Sequence, residues 1–238
     1  MMDDDFILVV LTTPVIFPGE AGYLQGLLGS GVERLHIRKP GADVEEVESL
    51  IRQVPLRWRS RLVLHGTEQV RSLAWRYGIP QVHGPVEFAG GRMVGGKRLS
   101  GGGGPEVKMG IAPGAMTDDR AGKNSEGALG GIAVSTSVHS MEELEALPEG
   151  LVYTFISPLF DSLSKPGYKG EPGLLALSQG RGGCKVVGLG GIGEETIGQV
   201  LANGWAGAAV LGWIWERPAE AIERYERLKK IISEYRSL

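Results

Sequence analysis

Short apolar runs rich in β-branched residues alternate along the chain with segments whose apolar residues recur at helical spacing. This alternation predicts strand–helix–strand units, in which parallel strands are buried on both faces. None of the runs shows the apolar–polar alternation of an antiparallel sheet with one face in water. The predicted strands lie at residues 6–11, 34–37, 61–64, 80–83, 131–135, 151–156, 185–190 and 207–212.

Helical patterns fill most of the gaps between these strands. The clearest one runs over residues 44–54 and follows Asp43, a residue type that favours the N-cap position. The other predicted helices are residues 19–30, a segment that ends near Tyr77, and residues 141–147, 193–203 and about 218–235. Eight strands with crossover helices predict a closed (β/α)8 TIM barrel. The competing arrangement is an open doubly wound sheet, for which a count of eight is less natural.

The chain has the length that one barrel commonly needs. Its 238 residues are predicted to form a single TIM-barrel domain over residues 1–238. Glycine is frequent, with 38 residues, and many of these lie between Gly84 and Gly131. That stretch has little periodicity, so we predict a glycine-rich insertion at about residues 84–131.

Composition excludes several classes of protein. A net charge of −3 gives no electrostatic footprint for nucleic acid or an anionic membrane. The single cysteine, Cys184, excludes an internal disulfide framework and is expected to be a packing residue. The first residues, MMDDDFILVVLTTPVIF, carry negative charges where a signal peptide needs positive ones. No apolar stretch reaches the length of a membrane span, so we predict a cytoplasmic protein.

All four histidines stand where predicted strands end. His36, His65, His83 and His139 follow or close the second to fifth strands, and barrels place their chemistry at that end. Several imidazoles at one mouth also suit a transition metal, although no pair has a spacing that fixes ligand geometry. His139 has a purely structural alternative. Ser140 and Glu143 predict a capping box, so the histidine would be the residue before a capped helix.

Two loops have the composition of anion sites. The glycines of GLGGIG (188–193) let the backbone approach a ligand, and a helix N-terminus is predicted at about Gly193–Glu195. The alternative is a tight turn, and a likeness to a dinucleotide fingerprint is weak this late in the chain. In DSLSKPGYKG, Ser162, Ser164 and Lys165 can converge on a phosphate, or form an ordinary polar loop. Arg38 offers a fixed cation across the mouth, or a structural ion pair.

The order of these motifs resembles the thiamine phosphate synthase/TenI family of barrels. The motifs are HIR, a strand-four VH, SVHSMEE, SPLFDSLSK, VVGLGGI and GAAVL. In that family, the synthase joins a pyrimidine diphosphate to a thiazole phosphate and releases pyrophosphate. TenI-type relatives instead catalyse a tautomerisation that makes the thiazole aromatic. The resemblance therefore implies a phosphorylated small-molecule substrate and, because relatives are often oligomeric, a homo-oligomer.

The resemblance also implies roles for individual residues. Gly190 and Gly191 match the turn that holds the thiazole phosphate, and Arg38 matches an arginine of strand two. Ser137 matches a synthase serine, and His139 matches the histidine that TenI-type enzymes use as acid and base. The pyrophosphate loop of the synthase is matched by Ser162, Ser164 and Lys165, with serines in place of threonines.

Departures from the synthase pattern include a missing lysine and the residues of its metal site. The lysine two residues after the arginine is Pro40 here, with Lys39 beside it on the opposite face of the strand. The Asn-Asp pair after strand three is His65–Gly66, and the acidic run after strand four leaves Glu87 at best. Those aspartates hold Mg²⁺ in the synthase.

The departures favour a TenI-type tautomerase with His139 as acid and base and no certain cofactor. The alternatives are a synthase that uses Mg²⁺ and a non-catalytic relative that binds the ligand. Further candidates for ligand contact are His36, Lys39, His65, His83 and Gly212.

Overall fold

Eight parallel strands close into a barrel in the computed structural model, which describes residues 6–66, 68–85, 132–161, 167, 169–175 and 184–237. The strands are β1 (Ile7–Leu11), β2 (Arg34–Ile37), β3 (Leu62–His65), β4 (Gln81–His83), β5 (Ala133–Val138), β6 (Tyr153–Ile156), β7 (Lys185–Leu189) and β8 (Gly207–Val210). Each pairs with its neighbours in chain order, and β1 pairs with β8 to close the ring. The predicted (β/α)8 barrel is confirmed, and the open doubly wound sheet is excluded.

Helices follow the strands and cover the outside of the barrel. They are α1 (Glu20–Gly29), α2 (Val44–Gln53), α3 (Glu68–Tyr77), α4 (Met141–Glu145), α5 (Pro172–Leu175), α6 (Ile197–Ala202), α7 (Gly212–Trp215) and α8 (Ala221–Arg236). Single 3-10 segments, Leu56–Arg61 and Pro218–Glu220, precede β3 and α8. In the described part of the chain, no helix combines the length and the apolar character needed to cross a membrane.

The helix after β2 shows how local sequence sets an element. Asp43 accepts a hydrogen bond from the N–H of Glu46 at 2.8 Å, and Glu46 accepts one from the N–H of Asp43 at 3.0 Å. This reciprocal capping satisfies donors that the first turn leaves without partners. Val47, Leu50 and Ile51 then follow at helical spacing and are buried against the barrel.

Two predicted boundaries were wrong for physical reasons. The fifth strand was expected at residues 131–135, but β5 continues to Val138 because its polar residues face the barrel interior. The helix expected from residue 193 begins at Ile197, because the hydroxyl of Thr196 accepts the N–H of Gly193 at 2.9 Å and closes a turn. Most of the predicted insertion at residues 84–131 lies outside the described residues.

Candidate active site at the carboxyl ends of the strands

Three histidines meet inside the barrel, where β2, β3 and β4 end. The rings of His65 and His83 stack with centroids 4.1 Å apart, and His36 meets them edge-on at 4.9 and 5.5 Å. His36 is fully buried, His83 is buried, and His65 is half-buried. The expectation that all four histidines stand on the rim was therefore wrong for His36. Its inward position on a strand places it one layer below the mouth.

One hydrogen-bond chain runs from His65 to the barrel centre. Nδ1 of His36 lies 2.7 Å from Nε2 of His65, and Nε2 of His36 contacts the hydroxyl of Tyr153. Burial raises the pKa of Tyr153, and hydrogen bonding with Gln81 and Ser135 acts in the opposite direction. We place the phenol proton towards His36, so that His36 donates from Nδ1 to His65. We assign both tautomers on this basis.

A second chain connects His83 to two serines of β5. Nδ1 of His83 lies 3.0 Å from Oγ of Ser135, and Nε2 lies 2.8 Å from Oγ of Ser137. Ser135 donates its one hydroxyl proton to the carbonyl of Val82 at 3.4 Å. With the hydroxyl proton of Ser135 placed there, we assign the proton of His83 to Nδ1, so that its Nε2 accepts from Ser137.

The three clustered imidazoles are neutral at pH 7. Burial lowers the pKa of His36 and of His65 well below the ordinary value, and repulsion from His83 adds to this effect. Burial also lowers the pKa of His83, to about 3, with a smaller contribution from the positive charge of Arg38. Each ring thus keeps one N–H donor and one lone pair.

A pocket of about 420 Å³ opens directly above this cluster. It is lined by His65, Gly66, His83, Gly84, Pro85, Thr136 and Ser137. A larger neighbouring pocket of about 740 Å³ reaches Arg38, whose side chain is exposed. Thr12 fixes the backbone at Arg38, because its hydroxyl accepts the N–H of Arg38 at 2.9 Å and donates to the carbonyl at 3.3 Å.

Lys39 lies in a buried corner behind the mouth. Its ammonium contacts Oε1 of Glu20 at 2.5 Å, the carbonyl of Thr13 at 2.8 Å and the carbonyl of Val15 at 3.1 Å. The three ammonium donors are therefore occupied within the protein, which leaves none for a ligand. Burial lowers the pKa of Lys39, and the contact with Glu20 opposes that shift. This lysine ties the loop after β1 to α1.

His139 is exposed directly after β5. Its Nδ1 lies 3.1 Å from the carbonyl oxygen of Ser157, which only accepts, so Nδ1 carries the proton and Nε2 carries the lone pair. The capping box was half right. Ser140 accepts the N–H of Glu143 at 3.2 Å, but the carboxylate of Glu143 accepts the N–H of His139 at 2.7 Å, one residue earlier than expected. The cap therefore holds the histidine backbone in place.

The glycine turn after β7 has a packing reason of its own. Gly190 and Gly191 have φ values of +103° and +62°, which favour glycine. A Cβ on Gly191 would lie 2.7 Å from Cβ of Phe160 in the loop after β6. The N–H of Phe160 also donates to the carbonyl of Gly190 at 3.1 Å. The expected helix N-terminus at Gly193–Glu195 is absent there, so a phosphate at this end would depend on the turn itself.

Several predicted positions bear less directly on the described site. Gly212 begins α7, just after β8. Ser162, Ser164, Lys165 and Glu87 lie outside the described residues. Just before the serines, Asp161 pairs with Lys169 at 2.9 Å and accepts the N–H of Gly170 at 2.8 Å.

Four residues of the site were not among the site residues predicted from the sequence: Thr12, Gln81, Ser135 and Tyr153. A signal existed for two of them. Gln81 and Ser135 stand two positions before His83 and Ser137, and residues two apart on a strand face the same side. Polar residues at this spacing within predicted buried strands indicate a polar interior.

The closed barrel, with polar side chains and two pockets at the carboxyl ends of its strands, is a (β/α)8 barrel with a candidate site where such barrels place their chemistry. Within that class, the family model described as thiamine monophosphate synthase (TMP-TENI) matches residues 117–214. This match confirms the resemblance to the thiamine phosphate synthase/TenI family, and it spans β5 to β8. The stretch with β1 to β4 lies outside it.

Individual relatives show the same resemblance. The chain is 38% identical over 90 residues to a thiamine-phosphate synthase of Listeria welshimeri, which is 36% of this chain and 43% of that relative. A thiamine phosphate pyrophosphorylase from Bacteroides thetaiotaomicron has a TM-score of 0.62 and 22% identity, over 96% of this chain and 98% of the other. One from Pyrococcus furiosus has a TM-score of 0.63 and 20% identity, over 97% and 96%. At these identities, the two structures show a shared fold.

Proposed function

We propose that the protein is an enzyme of thiamine biosynthesis that binds a thiazole phosphate and shifts a proton on it. His139 is the acid and base of this reaction. The observation that supports the proposal best is the hydrogen bond from Nδ1 of His139 to the carbonyl of Ser157, because it leaves the exposed Nε2 as a proton acceptor. An imidazole in this tautomer can accept a proton at Nε2 and return it.

In the proposed reaction, Nε2 of His139 takes a proton from the non-aromatic thiazole and returns it at a second atom, so that the ring becomes aromatic. No atom is gained or lost. The imidazolium formed between the two transfers is stabilised by the carbonyl of Ser157, which keeps its hydrogen bond to Nδ1. Arg38 and the Gly190–Gly191 turn are the proposed contacts for the phosphate, with Ser137 at the pocket wall.

The test supplies the non-aromatic thiazole phosphate tautomer and follows its conversion by ultraviolet absorbance. His139→Asn removes the base but keeps an N–H that can donate to the carbonyl of Ser157. We expect kcat to fall by about 10²- to 10⁴-fold, the usual contribution of a general acid–base. Ser157→Ala is the matched control, because it keeps the carbonyl at 3.1 Å and removes only the longer contact of the hydroxyl with Nδ1 at 3.4 Å, so its rate should stay near that of the wild type. Equal rates for His139→Asn and wild type would refute the assignment.

A synthase activity is the second candidate, because the relative from Listeria welshimeri is named as a thiamine-phosphate synthase. The described residues fit Mg²⁺ poorly. The group with metal-binding potential found among them consists of imidazoles, whereas Mg²⁺ prefers carboxylate and water oxygens. The assay mixes a pyrimidine diphosphate, thiazole phosphate and Mg²⁺ and measures pyrophosphate. Its release at a rate proportional to enzyme would establish this candidate.

The two assays also separate both enzymes from a non-catalytic relative. Calorimetric binding of thiazole phosphate without turnover in either assay would identify a protein that keeps the ligand site and has lost the reaction. In that case, His139→Asn should change the binding constant little, since the proposed phosphate contacts lie elsewhere.

A further inference from the structure

We propose that His36, His65 and His83 form a binding site for one divalent transition-metal ion that prefers imidazole nitrogen, such as Zn²⁺ or Co²⁺. One ring nitrogen from each histidine lies within 4.8 Å of those of the other two. Nitrogens bound to a tetrahedral zinc at the usual 2.0–2.1 Å stand about 3.4 Å apart. The three side chains thus need only small adjustments to reach a common ion.

The available lone pairs favour this set of ligands. Nε2 of His65 and Nε2 of His83 are acceptors in the assigned tautomers, and both histidines line the pocket. The third ligand atom is Nδ1 of His36, which lies 2.7 Å from Nε2 of His65 with a proton between them. An ion in this position replaces that proton, and the two nitrogens separate by roughly 0.7 Å. The displaced proton moves to Nε2 of His36, which then donates to the oxygen of Tyr153, while the phenol proton turns away from His36.

The surroundings already contain the partners that metal-bound histidines usually have. A ligating histidine normally donates its second N–H to a protein oxygen, which fixes the ring and its tautomer. The hydroxyl of Tyr153 contacts Nε2 of His36, and Oγ of Ser135 lies 3.0 Å from Nδ1 of His83. Both oxygens are buried on β6 and β5. These contacts hold two of the three rings in the orientation that the ion needs.

The fourth coordination position would open into the pocket of about 420 Å³. Three protein ligands with one open position are typical of catalytic rather than structural zinc sites. The positive charge of Arg38 acts on both His65 and His83. A cation bound here is therefore balanced best by an anionic fourth ligand, such as hydroxide or a phosphate oxygen.

The alternative is a purely structural layer of hydrogen-bonded histidines, and the test distinguishes the two. The full chain is freed of metal with a chelator, which is then removed, and is titrated with Zn²⁺ and, separately, with Co²⁺. We expect one ion per chain, a visible Co²⁺ spectrum of the tetrahedral type, and a rise in the thermal midpoint on adding Zn²⁺. Mg²⁺ at the same concentration should produce no such rise.

The deciding variant is His65→Asn, because His65 is half-buried and its loss disturbs the core least. We expect Zn²⁺ to bind about a hundredfold more weakly or worse, while far-ultraviolet circular dichroism stays that of the wild type. His139→Asn is the matched control, since it removes an exposed histidine from the same end of the barrel, and it should bind as the wild type does.

A second measurement tests whether Tyr153 positions His36 for the ion. Tyr153→Phe keeps all three ligands, so we expect the Co²⁺ spectrum to persist with binding weakened about tenfold. Failure of wild-type protein to bind one ion would overturn the site. Wild-type affinity in His65→Asn, or loss of binding in His139→Asn, would overturn it as well. None of these outcomes depends on the thiazole reaction, so the two proposals can fail separately.

Discussion

Strands β2 to β5 and strands β6 to β1 line the same barrel with different chemistry. The first group contributes imidazole, amide and hydroxyl side chains to the interior: His36, His65, Gln81, His83, Ser135 and Ser137. The second group contributes an apolar cluster: Val9, Leu11, Tyr153, Phe155, Val187 and Ala209. Tyr153 belongs to both, because its ring packs in the apolar cluster and its hydroxyl contacts His36.

The difference shows two ways to fill one barrel. Apolar side chains fill it by shape, and bulky aliphatic residues are the usual choice there. Polar side chains can replace them only when each donor and acceptor has a partner, because an unpaired buried polar atom is costly. Among the described residues, the one buried side-chain polar atom without a partner is Oε2 of Glu20, which lies outside the histidine network. The polar half is thus fully connected.

The largest predicted effect is a steep loss of stability in mild acid. A histidine whose pKa is lower in the native state than its unfolded value of about 6.5 takes up its proton only on unfolding. The free energy of unfolding then falls as the pH drops below about 6.5, by about 1.4 kcal/mol per pH unit for each such proton. With three such histidines, the slope of the free energy of unfolding approaches about 4 kcal/mol per pH unit. Urea denaturation at pH 7.5, 6.5, 5.5 and 5.0 measures the slope.

The apolar half supplies the control for this slope. Val187→Ala should lower the free energy of unfolding by a similar amount at each pH, because no titrating group is removed. His65→Asn should reduce the slope by about one proton. A wild-type slope corresponding to less than one proton between pH 6.5 and 5 would contradict the neutral, buried cluster. Carboxylates contribute little in this window, since they remain ionised.

We expect an intermediate loss of stability from Tyr153→Phe, because Tyr153 belongs to both halves of the barrel. The variant keeps the ring in the apolar cluster but removes the partner of Nε2 of His36. Leaving a buried polar atom without a hydrogen bond costs about 1–3 kcal/mol. Tyr225→Phe is the matched control, because it removes the same hydroxyl from a buried tyrosine on α8, outside the barrel interior. Equal losses in the two variants would argue against a special role for the His36 contact.

The sequence predicted the apolar half better than the polar half. Runs such as FILVVL and KVVGLG indicate buried strands directly, because successive apolar residues without polar alternation suit burial on both faces. The serines of β5 gave the opposite impression, and the predicted strand stopped at residue 135, although β5 continues to Val138. A single sequence does not show which polar residues find partners on neighbouring strands, since those partners lie 54 positions apart for His83 and Ser137.

Some features of the candidate site could likewise be predicted from the sequence, and others could not. The positions of His65, His83 and His139 near strand ends followed from strand spacing alone, since side-chain period and chain direction fix them. The depth of His36 and the occupied donors of Lys39 did not follow. Both depend on tertiary contacts, with Tyr153 in one case and with Glu20 in the other. Burial and pairing of polar groups are thus the part of a site that local pattern reveals least.

The smallest predicted effect is a difference in stability between alanine variants of two serines on β5. Ser135 is fully buried, and its hydroxyl accepts hydrogen bonds from Gln81 and His83. Ser135→Ala leaves these two donors without a partner, so we expect the free energy of unfolding to fall by about 1–3 kcal/mol. Ser137 is half-buried at the pocket, where a water molecule can take the place of its hydroxyl as the partner of Nε2 of His83. We therefore expect Ser137→Ala to lower the free energy of unfolding by under about 1 kcal/mol. Chemical denaturation of both variants at pH 7.5 measures the difference. If Ser137→Ala costs as much as Ser135→Ala, water does not reach Nε2 of His83, and the polar half is closed from the pocket rather than open to it.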